Sequence, residues 1–259
     1  MDLKLNDKTA LVTGATGGIG LAIATALANE GATVFVTGRT QDKLDQAVKA
    51  IGGKAKGVLA DAATADGAAA ILKAVPSVDI LVNNLGIYEM KAFADIPDED
   101  WFKLFDVNVM SGVRLSRGYF PGMLERNWGR VIFISSESGL ATPAEMVHYG
   151  MTKSAQLAVA RGMAQATKGT GVTVNSVLPG PTRAEAIADF LKSVSTNPDG
   201  TLAEHEAEFF EKHRSASLLQ RMIEPEEIGS LVAYVASPLS SATNGASLKV
   251  EGGLVTTIA

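Results

Sequence analysis

The chain has 259 residues, 46% of them hydrophobic and 20% charged, and its formal net charge is -5. A chain of this length can bury a substantial core, and its mild acidity argues against a nucleic-acid partner held by phosphate contacts. The absence of cysteine excludes disulfides and thiol chemistry, and the three histidines (His148, His205 and His213) show no spacing typical of a metal site. No leader pattern or membrane-spanning apolar run is visible, so we expect a cytoplasmic protein with no membrane partner.

Short apolar runs alternate with longer helical patterns through the first 180 residues. This alternation predicts right-handed crossovers and a parallel sheet that is covered on both faces. No linker rich in Pro, Gly or Ser divides the chain. We therefore predict an α/β fold over residues 1–259, a single-domain, Rossmann-type doubly wound parallel sheet in three layers. Strands are predicted at Thr9–Val12, Thr33–Thr37, Gly57–Leu59, Ile80–Val82, Arg130–Ser135 and Val172–Leu178, and helices near 19–30, 41–51, 64–75, 99–126 and 149–168.

The region from about 183 to 215 departs from this alternation. It has a polar helical pattern that Asn197–Gly200 interrupts. Two interpretations stay open, a solvated pair of surface helices and a mobile lid over a substrate pocket. Beyond it we predict a helix from Pro225 to about 236, a last strand at Ser247–Val250 and an apolar tail, Leu254–Ala259.

A glycine-rich turn, Thr13–Gly20, follows the first strand directly and opens the first helix. Glycines permit a tight turn and a close approach of the backbone to a pyrophosphate, and the helix N-terminus offers free N–H groups to it. The turn could also be only a sharp corner, but its place in the first βαβ unit favours a dinucleotide site. The candidate cofactor residues of this turn are Gly14, Thr16, Gly17, Gly18, Ile19 and Gly20.

The end of the second strand bears on the choice of cofactor. Dinucleotide sites that select the ribose 2′-hydroxyl usually place an acidic residue here, whereas an arginine suits a 2′-phosphate. No Asp or Glu occupies positions 37 to 40, and Arg39 can donate several hydrogen bonds to a phosphate. We therefore predict that NADP(H) is preferred and NAD(H) is possible, the alternative for Arg39 being an ordinary surface arginine.

Tyr149 and Lys153 lie four residues apart in a predicted helix and so share a face. A phenol with a reference pKa of about 10 is a poor acid–base group at neutral pH, and a neighbouring cation lowers that pKa. The pair alone is weak evidence, since an amphipathic surface helix with a snorkelling lysine shows the same spacing.

Further motifs fall into one family's order, and from about residue 6 to 253 the chain resembles a short-chain dehydrogenase/reductase. Leu85, where the family usually has alanine, and Glu251, where aspartate is commoner, depart from its pattern. The matching positions are the glycine motif Thr13, Gly14, Gly18 and Gly20; Asp61; the motif Asn83, Asn84 and Gly86; Asn108; Ser136, thirteen residues before the tyrosine; Tyr149 and Lys153; and Pro179, Gly180 and Thr182.

The resemblance implies an NAD(P)-dependent oxidoreductase that interconverts a ketone or aldehyde and an alcohol by hydride transfer. Tyr149 would be the general acid or base, and Ser136 would hold the substrate oxygen. Lys153 would lower the tyrosine pKa and bind the nicotinamide ribose. Asn108 would order a water that links the lysine to solvent. The other implied cofactor contacts are Asp61, Asn84, Gly86, Pro179, Gly180 and Thr182.

The substrate, a small carbonyl compound or alcohol, is not readable from the sequence. One alternative is a 3-oxoacyl-[acyl-carrier-protein] reductase, for which Arg114, Arg117, Arg126 and Arg130 are candidate docking residues, although scattered arginines usually form a solvated face. An alternative from another class is a non-catalytic nucleotide-binding sensor or scaffold. The resemblance also implies a homotetramer, to which the apolar tail would contribute. Glu145 is placed where it could bind a polar or cationic group.

Overall fold

The computed structural model describes residues 2–184 and 187–258. Over these residues seven strands form one parallel sheet in the spatial order β3-β2-β1-β4-β5-β6-β7. The order reverses between β1 and β4, and the crevice beyond the carboxyl ends of strands at such a reversal is where α/β sheets bind ligands. The strands are β1 Thr9–Val12, β2 Thr33–Gly38, β3 Lys56–Leu59, β4 Ile80–Asn83, β5 Gly129–Ile134, β6 Val172–Pro179 and β7 Ser247–Val250.

Nine α-helices accompany the sheet within the described ranges. None of them is both long and apolar enough to cross a membrane. The predicted helix at 99–126 is divided, because a wider π turn at Asp106–Met110 separates two α-helical stretches. The helices are α1 Gly18–Asn29, α2 Gln41–Ile51, α3 Ala65–Ala74, α4 Asp98–Phe105, α5 Ser111–Glu125, α6 Val147–Gln165, α7 Ile187–Val194, α8 Leu202–His213 and α9 Pro225–Ala236.

Successive strand residues point to opposite faces, which divides the core into two layers. Val12 packs in a cluster with residues of α1 and α9, whereas Leu11 packs in a second cluster with residues of α3, α5 and α6. Both faces of the sheet are therefore covered by helices. The prediction of a three-layer, single-domain α/β fold is confirmed, and each predicted strand boundary lies within one residue of the observed one.

The region from 183 to 215 forms the helices α7 and α8, and its residues 185 and 186 lie outside the described residues. The break at Asn197–Gly200 ends just before a capping box. There the Thr201 hydroxyl accepts from the Glu204 N–H at 3.3 Å, and the Glu204 carboxylate accepts from the Thr201 N–H at 2.7 Å. The two helices have a hydrophobic cluster of their own, made by Leu191, Phe209, Phe210 and Met222.

The C-terminal tail is partly covered by the chain itself. Leu254 and Val255 are each only 8% exposed, and their N–H groups donate to the carboxylate of Glu251. Ile258 is fully exposed, and residue 259 lies outside the described residues. Of the apolar tail, Ile258 is therefore exposed, whereas Leu254 and Val255 are covered within the chain, and the homotetramer stays a prediction.

Candidate active site

The glycine-rich turn is tied to the neighbouring turn after β4. Asn84 donates from Nδ2 to the carbonyl oxygens of Thr13 and Gly14, at 2.9 and 3.1 Å. The Thr13 hydroxyl in return accepts from the N–H groups of Asn84 and Leu85, at 3.1 and 3.0 Å. Leu85 thus keeps the backbone link that the turn needs although it replaces the usual alanine.

The same turn leaves room for a phosphate because it lacks side chains. Gly14 and Gly18 have φ angles of +62° and +53°, which favour glycine. A Cβ on Gly20 would lie 2.5 Å from Nδ2 of Asn84 and closer still to the Gly14 carbonyl oxygen. No side chain caps the N-terminus of α1 at Gly17, so its N–H groups remain free to bind an anion.

Arg39 and Asp61 lie beyond the carboxyl ends of β2 and β3, which are neighbouring strands paired in register as far as Gly38 and Leu59. Arg39 is exposed. Asp61 accepts from the Ala63 N–H at 3.0 Å. A Cβ on Gly38 would lie 2.7 Å from the Thr16 methyl, so Thr16 packs against this strand end. The structure therefore brings Thr16, Arg39 and Asp61 to one edge of the sheet.

One cavity of about 330 Å³ brings most of the predicted site together. Its lining joins the glycine-rich turn to α6 and to the end of β6. Thr16, Gly18, Arg39, Asp61 and Asn108 lie outside that lining. The predicted residues that line it are Gly14, Gly17, Ile19, Gly20, Asn84, Gly86, Ser136, Tyr149, Lys153, Pro179, Gly180 and Thr182.

Lys153 reaches into this cavity from α6 and is only 4% exposed. Its ammonium lies 5.6 Å from the centre of the Tyr149 ring and donates to the Ile134 carbonyl at 2.9 Å and to Oε1 of Gln156 at 3.3 Å. Burial lowers the pKa of Lys153 to about 8, an effect that the negative charge of Glu137 partly opposes. The lysine is therefore mostly protonated at neutral pH, and its pKa lies close enough to 7 for it to exchange a proton.

Tyr149 does not show the lowered pKa that its lysine neighbour led us to expect. The protein's own groups raise its pKa, first through desolvation of the phenol and then through the negative charge of Glu137, while a hydrogen bond with Ser136 acts in the opposite direction. The expectation was wrong because it considered only the cation and ignored the burial and the carboxylate. Protein groups by themselves thus keep Tyr149 protonated, the form required of a proton donor.

Three serines follow the end of β5, and their hydroxyls have different partners. Ser135 donates to the Lys153 carbonyl at 2.9 Å and so joins β5 to α6. Ser136 donates to the carboxylate of Glu137 and accepts from the Ser138 N–H at 3.1 Å. Ser138 donates to the other oxygen of Glu137 at 3.2 Å. The predicted serine is therefore the member of the group that borders both Tyr149 and Glu137.

Asn108 lies in the π turn between α4 and α5, where its side chain holds the loop after β4. Its Oδ1 accepts from the Ile87 N–H at 2.8 Å, and its Nδ2 donates to the Ile87 carbonyl at 2.9 Å. Its own carbonyl accepts from Nε2 of Gln156 at 2.6 Å, and Gln156 in turn accepts from Lys153. Gln156 thus links the Asn108 carbonyl to Lys153, and the water through which we expect Asn108 to connect the lysine with solvent stays a prediction.

Glu137 is the residue of this site that sequence reasoning missed. It is 6% exposed, lines the cavity and influences the pKa of both Tyr149 and Lys153. A signal was present, because a glutamate between two serines, three residues after a strand that ends in the apolar run Val131–Ile134, is unusual. Only its position relative to the tyrosine required the structure.

The outer part of the cavity is lined by residues of α7, α8 and the loop after β4. Tyr88 makes an edge-to-face contact with Tyr149, with ring centres 6.2 Å apart. Phe190, Phe209 and Arg214 approach from the other side. Glu145, considered from sequence as a binder of cations, lies 3.8 Å from Arg214 and forms an ion pair with it. Its charge is therefore already partly compensated.

Comparison with known proteins identifies similar chains over the full length. The family model described as short chain dehydrogenase matches residues 8–194. An uncharacterised oxidoreductase of Bacillus subtilis, YvaG, is 48% identical over 263 aligned residues, which cover 100% of both chains. The 3-oxoacyl-[acyl-carrier-protein] reductase of Vibrio cholerae is 32% identical and covers 97% of this chain and 99% of its own.

Among solved structures, L-sorbose reductase from Gluconobacter frateurii, determined with NADPH and L-sorbose, superimposes with a TM-score of 0.92. It is 27% identical to this chain, and the alignment covers 100% of both. The Vibrio cholerae and Gluconobacter frateurii proteins differ in the substrates that their names state, although both are similar to this chain over nearly its whole length.

Proposed function

The chain belongs to the short-chain dehydrogenase family and is an NAD(P)-dependent oxidoreductase acting on CH–OH groups, and we propose that it reduces a ketone or aldehyde with NADPH as a carbonyl reductase, Tyr149 supplying the proton. The observation that carries this proposal is the shared cavity, in which Tyr149, Ser136 and Lys153 face the glycine-rich turn. A scaffold that only bound a nucleotide would not need the proton of Tyr149 or the hydroxyl of Ser136 beside it.

The proton chemistry follows from the contacts around Tyr149. When bound, NADPH supplies the hydride. The substrate oxygen accepts a hydrogen bond from the phenol and one from the Ser136 hydroxyl, and Tyr149 transfers its proton to that oxygen as negative charge develops there. The ammonium of Lys153 then stabilises the phenolate, a role that its pKa of about 8 permits at neutral pH.

The residues present fit a dinucleotide phosphate. A Cβ on Gly18 would meet no atom within 4 Å, so the turn leaves open space there, and the uncapped N-terminus of α1, which begins at Gly18, offers free N–H groups to an anion. Arg39 would bind the 2′-phosphate, which supports a preference for NADP(H). The NADPH in the similar L-sorbose reductase supports the same preference.

The alternative of a carrier-bound 3-oxoacyl substrate is weaker than the relatives' names suggest. Arg130, considered for docking from sequence, is only 1% exposed and donates to the carbonyls of Gly129 and Gly171. Arg114 and Arg126 each donate to a backbone carbonyl as well. Burial removes Arg130 from the four candidate docking residues, and the exposed Arg117 and Arg126 are by themselves weak support for an acidic carrier.

Replacing Tyr149→Phe tests the proposal. We expect turnover of a ketone to fall by about 10²–10⁴-fold with NADPH affinity unchanged, because the ring keeps its packing against Tyr88 and loses only the proton. Ketone-dependent NADPH oxidation and fluorescence titration of NADPH measure the two quantities. Tyr119→Phe is the matched control, since that phenol is buried away from the cavity and donates to the Val75 carbonyl at 2.7 Å. Equal losses of turnover and NADPH affinity in Tyr149→Phe would contradict the assignment.

A further inference from the structure

The carboxylate of Glu137 has no place in the mechanism described above. Within the described residues no Lys, Arg or His side chain forms an ion pair with it, and its hydrogen bonds come from the hydroxyls of Ser136 and Ser138. Burying a carboxylate without a paired cation costs stability. Such a group is kept in a cavity most readily where it serves binding or catalysis.

Counting hydrogen atoms shows a conflict at Ser136. A carboxylate only accepts hydrogen bonds, so the single hydroxyl proton of Ser136 points at Glu137. Carbonyl reduction requires the same proton of Ser136 to point at the substrate oxygen. One hydroxyl cannot donate to both acceptors, and therefore another donor must take over at Glu137 when the substrate binds.

Resting on the proposed function, we propose that the substrate itself provides this donor: it is an α-hydroxy ketone, whose hydroxyl binds Glu137 and releases Ser136 to the carbonyl oxygen. The carbonyl and hydroxyl oxygens of such a substrate are bonded to adjacent carbons. Ser136 and Glu137, which would bind these two oxygens, are hydrogen-bonded neighbours in the cavity lining, so the spacing of the substrate oxygens matches that of the side chains. In the reverse direction the substrate is a vicinal diol. Glu137 is then a specificity-determining residue that also controls whether the Ser136 hydroxyl is free to donate to the carbonyl oxygen.

The charges around the cavity favour a neutral hydroxyl over an ammonium group as the partner of Glu137. Lys153 and Arg214 both line the same cavity and would repel a cationic substrate. The present partners of Glu137 are themselves hydroxyls, so a substrate hydroxyl would replace one donor by another of the same kind. A hydroxyl bonded to a buried carboxylate forms a short, charge-assisted hydrogen bond.

The test compares two ketones of equal size, hydroxyacetone and butanone, in which a hydroxyl replaces a methyl group. We expect wild-type protein to prefer hydroxyacetone on the order of 10–100-fold in kcat/KM, the value of a hydrogen bond to a charged group. Glu137→Leu should lower kcat/KM for hydroxyacetone and raise it for butanone, because the variant removes the acceptor and frees Ser136. Glu137→Gln, which keeps an acceptor without the charge, should fall between wild type and Glu137→Leu.

Glu89→Leu is the matched control, because this half-exposed carboxylate pairs with Lys91 at 3.3 Å and does not line the cavity. It should leave the preference for hydroxyacetone unchanged. Melting temperature and NADPH affinity establish that each variant is folded.

Opposite changes in kcat/KM for the two ketones in Glu137→Leu support the inference. Parallel losses in kcat/KM for both ketones overturn it, because Glu137 would then only hold Ser136 in position. Faster turnover of aminoacetone than of hydroxyacetone also overturns it, in favour of a cationic substrate. Wild-type protein that reduces ketones without preferring hydroxyacetone overturns this inference only. Wild-type protein that reduces no ketone overturns the proposed function, and this inference with it.

Discussion

The cofactor side and the substrate side of the cavity are held in place by different kinds of contact. On the cofactor side, the turns after β1 and β4 are joined through backbone groups, the Thr13 hydroxyl and the Asn84 amide. On the substrate side, α7 and α8 pack on a small cluster of their own and are joined to the remainder by side-chain ion pairs of Arg183. Backbone geometry tolerates few sequences, whereas side-chain contacts can vary with the substrate. The cofactor side therefore carries the family's motifs, and we expect the substrate side to determine specificity.

If backbone geometry controls the cofactor side, the largest effect should come from one methyl group placed there. Gly20→Ala puts a Cβ within 2.5 Å of the Asn84 amide, and the turn must shift to accept it. We expect kcat/KM for NADPH to fall on the order of 100-fold, the cost of displacing a bound reactant by about 1 Å. Steady-state kinetics with varied NADPH measure this loss.

Gly162→Ala is the control for that substitution. Gly162 lies in α6, and a Cβ there would meet no atom within 4 Å. This variant should keep full activity and gain up to about 1 kcal/mol in free energy of unfolding from helix propensity. Full activity with NADPH in Gly20→Ala would show that the turn can shift to accept a Cβ without loss of function, which would contradict the prediction.

A smaller effect is expected from a side chain on the cofactor side. Arg39→Ala should weaken NADPH binding by about 10–100-fold and leave NADH binding nearly unchanged, because only the 2′-phosphate loses its hydrogen bonds to a charged group. Competition kinetics with the two cofactors measure the ratio. Arg117→Ala, which removes an exposed arginine of α5, is the control. A cofactor ratio that does not move in Arg39→Ala would remove the residue from the 2′-phosphate site.

The smallest effect should come from the contacts of the substrate side. Glu206 on α8 pairs with Arg183 at 3.1 Å and accepts from the Met222 N–H at 2.8 Å. Glu206→Gln should lower the local stability of α8 by about 1 kcal/mol, since Arg183 is partly exposed to solvent, and this is seen as faster amide hydrogen exchange there. It should raise the KM for the ketone without changing NADPH affinity, a result that would favour a mobile lid over a solvated pair of surface helices, the two interpretations that the sequence leaves open.

Glu211→Gln changes an exposed residue of the same helix and is the control for local charge. If Glu206→Gln accelerates exchange throughout the sheet instead of in α8, the segment is part of the main cooperative unit. The contrast between the two sides of the cavity would then fail.

Elements governed by local rules could be predicted from the sequence. The strands β1 and β7 were predicted residue for residue, because β1 ends in an apolar run and β7 alternates polar and apolar residues, both patterns being typical of strands. The residues of the glycine-rich turn and the spacing of Ser136 to Tyr149 likewise predicted which side chains meet in one cavity. These predictions succeeded because backbone sterics and periodicity act over a few residues.

Electrostatic and packing properties could not be predicted in the same way. The raised pKa of Tyr149, the burial of Arg130 and the bridge through Gln156 depend on groups that are distant in the chain or were not recognised as neighbours. The sequence alone determined the fold, the glycine-rich turn and the choice of Ser136, Tyr149 and Lys153 as candidate residues that line one cavity. Only the tertiary structure decided where Glu137 lies relative to Ser136 and Tyr149, because the energy of a charge depends on its solvent exposure and on distances that folding alone sets.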